Sequence, residues 1–186
     1  MISITMKLFA CFLIFLPIFV TAQHKEEIVF LSGKSANDMY NTAKEWIAIS
    51  SNPGILTIQI DDPKEKKIIG KGVKNIIYTF QKTPAYVNVY YALSMQFKDG
   101  RYKYYLNVIT IKDEDGYEMS YEDFQSISTR EGWDAYCKKK GIKTPFKSIV
   151  EVANFTNVFS LLNRNLDNII ADLTTHLMTP KEEAIW

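Results

Sequence analysis

The chain has 186 residues, 47% of them hydrophobic, with 22 basic against 21 acidic side chains and two cysteines. That is enough apolar material for one core, and the charge balance excludes capture of nucleic acid or of an anionic membrane by net charge.

In chain order the first element is a leader. Lys7 precedes an apolar run from Leu8 to Val20, and Thr21-Ala22 stands before polar Gln23. This is the order of a secretory signal peptide, with cleavage expected after Ala22 and residues 1–22 removed. A membrane anchor needs roughly 20 apolar residues; this run is shorter, contains Pro17 and meets the charged stretch His24-Lys25-Glu26-Glu27. Leu8-Phe9-Ala10-Cys11 has the outline of a lipoprotein cleavage box, but the apolar run continues past Cys11 where it should stop, so cleavage after Ala22 is the better reading. Cleavage takes away Lys7 and Cys11. The remaining chain has 21 basic and 21 acidic residues, a net charge of zero, and Cys137 without an intramolecular disulfide partner.

Beyond the leader, Glu27 to Ser32 reads as a strand built on Ile28, Val29, Phe30 and Leu31, turned by Gly33-Lys34. Ser35 followed by Asp38 resembles a capping box, and Met39, Tyr40, Ala43, Trp46 and Ile47 recur at helical spacing, which predicts a helix over 36–49. Ser51-Asn52-Pro53-Gly54 stops it. The period then falls to two. Strands are expected over 55–60 and 66–80, with Asp61-Asp62-Pro63-Lys64 between them; Gly70 and Gly72 in the second mark a bulge or a close packing contact.

Asp99-Gly100 between the alternating runs 86–98 and 101–112 predicts a two-residue hairpin with a type I′ turn. The register follows. Phe97 opposes Tyr102, Met95 opposes Tyr104, Leu93 opposes Leu106 and Tyr91 opposes Val108 on a core face; Gln96 opposes Lys103, Ser94 opposes Tyr105 and Tyr90 opposes Ile109 on a mixed, half-exposed face. Asp113-Glu114-Asp115-Gly116 ends the sheet. The remainder reads as helical, with Ser120 and Asp123 as a cap, Lys138-Lys139-Lys140 before Gly141 as a helix end, and a long final helix over 145–178. Its apolar stripe is Phe155, Phe159, Leu162, Leu166, Ile169, Leu173 and Leu177.

The order β-α-β-β-β-β-α, together with Asp38-Met39-Tyr40, Lys44-Glu45-Trp46, Asp61-Asp62, Ile68-Ile69-Gly70-Lys71-Gly72 and Lys98-Asp99-Gly100-Arg101-Tyr102, resembles domain-of-unknown-function family 4468, exported bacterial proteins with a TBP-like fold. The resemblance covers about residues 28–112. It implies an α+β class, an antiparallel meander packed by helices, and an exported location. It brings no established activity and no functional residues, and the TBP-like label speaks to shape, not to DNA binding. The expected division is a TBP-like domain over 23–117 and a helical extension over 118–186 packing on the same core.

No catalytic set emerges. Gly33-Lys34-Ser35 sits where a phosphate loop would end, but the glycine required five residues earlier is Ile28, so a turn and helix cap is the reading. Asp113, Glu114 and Asp115 alternate too briefly for a calcium loop and read as a solvated turn; no metal and no cofactor is expected. The two histidines after the leader, His24 and His176, would have to fold against Cys137 to make a nucleophile and base, and a buried thiol is the default. Lys138 to Lys140 with Lys143 and Lys147 read as a solvated helix end. What remains is the outer face of the hairpin, where Tyr86, Tyr90 and Tyr105 lie near Arg101 and Lys103, residue types enriched where proteins grip partners. The expectation is a non-enzymatic exported module that binds a protein, peptide or glycan through that face. The alternatives are self-association through the apolar stripe of the last helix and, third, a hydrolase with an unrecognised site.

Overall fold

The computed structural model describes residues 24–50, 56–80, 82–141 and 149–180. The leader, its cleavage point and Cys11 lie outside the described residues, as do Pro145, Lys143 and Lys147. The element order is β1 (His24–Phe30), α1 (Ala36–Ser50), β2 (Leu56–Asp62), β3 (Lys67–Phe80), β4 (Thr83–Lys98), β5 (Arg101–Asp113), β6 (Glu118–Met119), α2 (Tyr121–Ser126), α3 (Arg130–Lys140) and α4 (Ile149–Met178). The fold class is α+β.

The strands form one antiparallel sheet in the order β1-β5-β4-β3-β2, with β6 pairing the far end of β5. The short β6 falls in the stretch read as helical. Two residues carry too little period to signal a strand. The β4–β5 register is the expected one from Lys98↔Arg101 to Tyr91↔Val108; the ladder then shifts, so Tyr90 opposes Thr110 rather than Ile109. Ile109 is the extra residue of a bulge and is pushed outward, half exposed.

The hairpin turn also differs from expectation. Gly100 has φ 73°, but Asp99 is not among the positive-φ residues, so the turn has the type II pattern rather than type I′. Tertiary bonds hold it there: Gly100 N–H donates to Lys34 O at 2.8 Å, and Leu31 N–H donates to Gly100 O at 2.8 Å.

One face of the sheet holds the core. Ile68, Ile76, Val87, Val89, Tyr91, Leu93, Met95, Phe97, Tyr102, Tyr104, Leu106 and Ile111 are buried against Met39, Tyr40, Ala43, Trp46 and Ile47 of α1 and the stripe of α4. Full burial of one such aliphatic side chain is worth about 1.5–3 kcal/mol. Gly70 is a close packing contact: a Cβ there would lie 2.9 Å from Leu56 Cδ1. The bulge is on the partner strand, between Ile58 and Ile60.

Polar contacts fix α4 in place. Trp46 Nε1 donates to Asp172 Oδ2 at 2.7 Å, the Tyr102 and Thr174 hydroxyls share a 2.6 Å hydrogen bond, and Lys25 of β1 pairs with Asp167. Leu162, Leu166, Ile169, Leu173 and Leu177 are buried in this chain's own core, and Phe155 and Phe159 pack against it. The stripe offered for self-association is therefore covered by the sheet and α1. Both expected caps are present: Asp38 N–H donates to Ser35 Oγ and Asp123 N–H to Ser120 Oγ, each at 3.0 Å. A third, Thr129 before α3, breaks the 121–140 stretch into two helices.

Candidate functional site: the open face of the sheet

The helices cover one face only, and among the described residues nothing lies on the other. Its composition follows from the pairing, because directly opposed residues share a face. At the hairpin-tip end one row across the sheet holds Lys98, Arg101 and Phe30; the next holds Lys67, Gln96, Lys103 and Ile28. Further along come Ile69, Ser94, Tyr105 and Glu26, then Lys71, Ala92 and Asn107. Tyr90 and Val73, and finally Tyr86 and Ile77, occupy the far end.

β1 reverses the usual polarity of an edge strand. Its inward positions are Lys25, Glu27 and Val29, opposite Leu106, Tyr104 and Tyr102. Lys25 is held by Asp167, and Glu27 Oε2 accepts from the Tyr104 hydroxyl at 3.1 Å. Its apolar Ile28 and Phe30 consequently stand on the open face, 48% and 70% exposed. The β1–β5 pairing, continued by Leu31 N–H on Gly100 O, sets the register that turns both outward.

Two hollows mark this face. One, of about 180 Å³, is lined by Ile28, Gln96, Lys98, Arg101 and Lys103. Lys103 pairs with Glu26, whereas Lys98 and Arg101 make no ion pair among the described residues. The other is a wider trough of about 470 Å³ over the small residues of mid-sheet, with Thr57, Lys71, Gly72, Tyr90, Ile109 and Lys112 along it. Lys112 lies over the Tyr90 ring at 5.5 Å and bonds Glu118 at 2.6 Å, a contact that raises its pKa.

The five residues singled out from sequence therefore share a face but not a pocket. Arg101 and Lys103 line the cationic hollow, Tyr105 is two positions along, Tyr90 lines the trough, and Tyr86 stands beyond it against exposed Ile77. From the Arg101–Lys98 row to Tyr86 is about 40 Å of strand. Ile28, Phe30, Lys98 and Gln96 join them. The hairpin register had already set Gln96 opposite Lys103 on this face, and Lys98, two residues on, shares it; Ile28 and Phe30 could not be placed that way, because nothing local says that β1 pairs with β5.

The other features singled out in the sequence take part in contacts within the fold. Tyr40 donates its hydroxyl to Asp61, which also binds Lys44, tying α1 to β2; burial, then Asp61, pushes the Tyr40 phenol up to about 12. Asp62 is the turn residue, its Oδ1 accepting from Lys64 and Glu65 N–H at 3.0 and 3.1 Å. Asp113 Oδ1 accepts from Tyr117 N–H at 2.8 Å in the turn before β6. Gly33 turns at φ 80°, with Lys34 N–H donating to Leu31 O. Cys137 is buried in α3, and that burial pushes its thiol up, away from the reactive thiolate. Lys139 bonds Asp123 at 3.0 Å, and Gly141 closes α3 in a left-handed C-cap.

The family model for a domain of unknown function with a TBP-like fold, DUF4468, matches residues 26–112. The chain carries a DUF4468 domain. That segment contains the open face except the first residue of β1 and Glu118 of β6. Among curated proteins none matches. Of solved structures, a DUF4468 family protein from Bacteroides ovatus ATCC 8483 is similar with a TM-score of 0.59 at 17% identity, over 86% of this chain and 88% of that one. A TBP-like protein from Parabacteroides distasonis ATCC 8503 is similar at 0.60 and 12% identity, over 85% and 94%. At these identities the likeness is of fold. Its extent exceeds the DUF4468 segment, so the shared fold takes in elements after β5.

Proposed function

We propose that this DUF4468 protein is an exported, non-enzymatic binding module that grips a partner on the open face of its sheet. The observation that carries the reading is the exposure of Ile28, Phe30, Ile77 and Ile109 beside Tyr86, Tyr90, Arg101, Lys103 and Tyr105 on a face that the chain's own helices leave uncovered. Isolated apolar side chains on a surface are ordinary; this many on one sheet face, interleaved with tyrosine and arginine, have the composition of an interface. Export rests on the leader. The described fold begins at His24, so cutting after Ala22 removes no described element.

Two measurements test it. Mass spectrometry of protein recovered outside the cytoplasm should give Gln23 as the first residue; an intact leader there overturns cleavage. Tyr90→Ala with Tyr105→Ala should abolish capture of whichever partner the unaltered protein retains in a pull-down, and a partner held equally by both overturns the face.

A further inference from the structure

We infer that the hollow at the hairpin-tip end of the open face is a subsite for an acidic side chain of a peptide segment, an inference that rests on the binding-face reading above. Three cations meet there. Lys98 and Arg101 are directly opposed across the β4–β5 ladder, and Lys103 is the next outward residue of β5. Only Lys103 is compensated, by Glu26; Lys98 and Arg101 make no ion pair among the described residues, so the hollow keeps an excess of positive charge that a carboxylate would neutralise.

The walls decide what kind of anion fits. Ile28 lines the hollow and Phe30 stands beside Arg101 across the β1–β5 ladder, so the charged group of the ligand arrives with apolar carbon attached. The volume of about 180 Å³ exceeds a bare inorganic anion and suits a carboxylate with its methylenes. Gln96, opposite Lys103, offers a donor and an acceptor together, which match a peptide amide next to the charge. A second copy of this chain packed about a two-fold axis through the hollow is a poor occupant, because it would bring the same cations together. A nucleic acid duplex is also disfavoured: Glu26, Asp62 and Glu118 lie on the same face and break the cations into a local cluster instead of a continuous stripe.

The test uses fluorescence anisotropy of the purified protein with a labelled hexapeptide of alternating glutamate and leucine. The same peptide with glutamine in place of glutamate, an oligogalacturonate and a short DNA duplex serve as competitors. Saturable binding should weaken roughly tenfold in Lys98→Gln/Arg101→Gln and by a similar factor for the glutamine peptide. Lys98→Arg/Arg101→Lys, which keeps the charge, should retain it. Equal binding by the neutralised variant, equal binding of the glutamine peptide, or stronger competition by oligogalacturonate or DNA than by unlabelled glutamate peptide overturns the inference. If Lys98→Gln/Arg101→Gln has no effect while Tyr90→Ala/Tyr105→Ala still abolishes partner capture, the binding face stands and only the acidic ligand falls. If neither pair matters, both fall.

Discussion

Asp99, at the tip of the β4–β5 hairpin, accepts a hydrogen bond on Oδ1 from the backbone N–H of Ala36, the first residue of α1, at 2.8 Å. A turn residue thus caps a helix sixty-three positions earlier in the chain, alongside the local cap from Ser35. The same tip receives Leu31 N–H on Gly100 O and gives Gly100 N–H to Lys34 O, so hairpin, loop and helix are one hydrogen-bonded unit. Asp99→Ala should cost about 1 kcal/mol, as loss of a helix cap does. Asp99→Asn, which keeps an acceptor, should cost less. Urea denaturation of both variants checks this, and an unchanged midpoint for Asp99→Ala would show the bond to be dispensable.

Gly132 in the first turn of α3 has no room for a side chain. A Cβ there would sit 1.9 Å from the Ser126 carbonyl oxygen and 2.9 Å from Thr129 Oγ1, which accepts from Gly132 N–H. The first obstacle is backbone, so the α2–α3 corner must open. Gly132→Ala should destabilise by about 3 kcal/mol, the upper end for overpacking, although alanine favours helices. Thermal unfolding that shows equal or higher stability would refute the contact.

Asp61 contributes to the acid limb. Its hydrogen bond from Lys44, then that from Tyr40, lowers its pKa below the ordinary 3.8. A carboxylate with a depressed folded pKa adds stability that is fully present above the unfolded value and is lost as pH falls through the folded one. The carboxylate is partly exposed and solvent-screened, so the effect is at most about 1 kcal/mol. Asp61→Asn should therefore lose less stability than the unaltered protein, by up to that amount, as pH falls below 3.8, measured by urea midpoints across that range. A variant whose acid loss matches that of the unaltered protein would place its origin elsewhere.

Alkaline unfolding has its own group of residues. Burial, helped at Tyr104 by Glu27, pushes Tyr91, Tyr104 and Tyr121 from 10.0 up to about 12. A raised folded pKa means stability intact below pH 10 and lost as pH climbs toward 12. These three should ionise together with loss of structure, seen as coincident steps in near-ultraviolet absorbance and circular dichroism. Their ionisation near 10 without structural change would contradict their burial.

Local chemistry made much of this protein readable in sequence. The Ser35 and Ser120 caps, the α1 face from Met39 to Ile47, and the hairpin register from Lys98 to Tyr91 all depend on neighbours a few residues apart or on a two-residue loop. That register placed Tyr105, Arg101 and Lys103 on the outer face correctly. Tertiary pairing decided what periodicity could not. β1 lies beside β5, which turns Ile28 and Phe30 outward next to the cations; the Tyr90–Tyr91 shift expels Ile109; contacts from Leu31 and Lys34 hold the Asp99-Gly100 turn in the type II pattern; and the stripe of α4 is buried on its own sheet. Each of these is fixed by partners distant in sequence, where strand order and register are chosen by the total burial of the core and not by the propensity of any one segment.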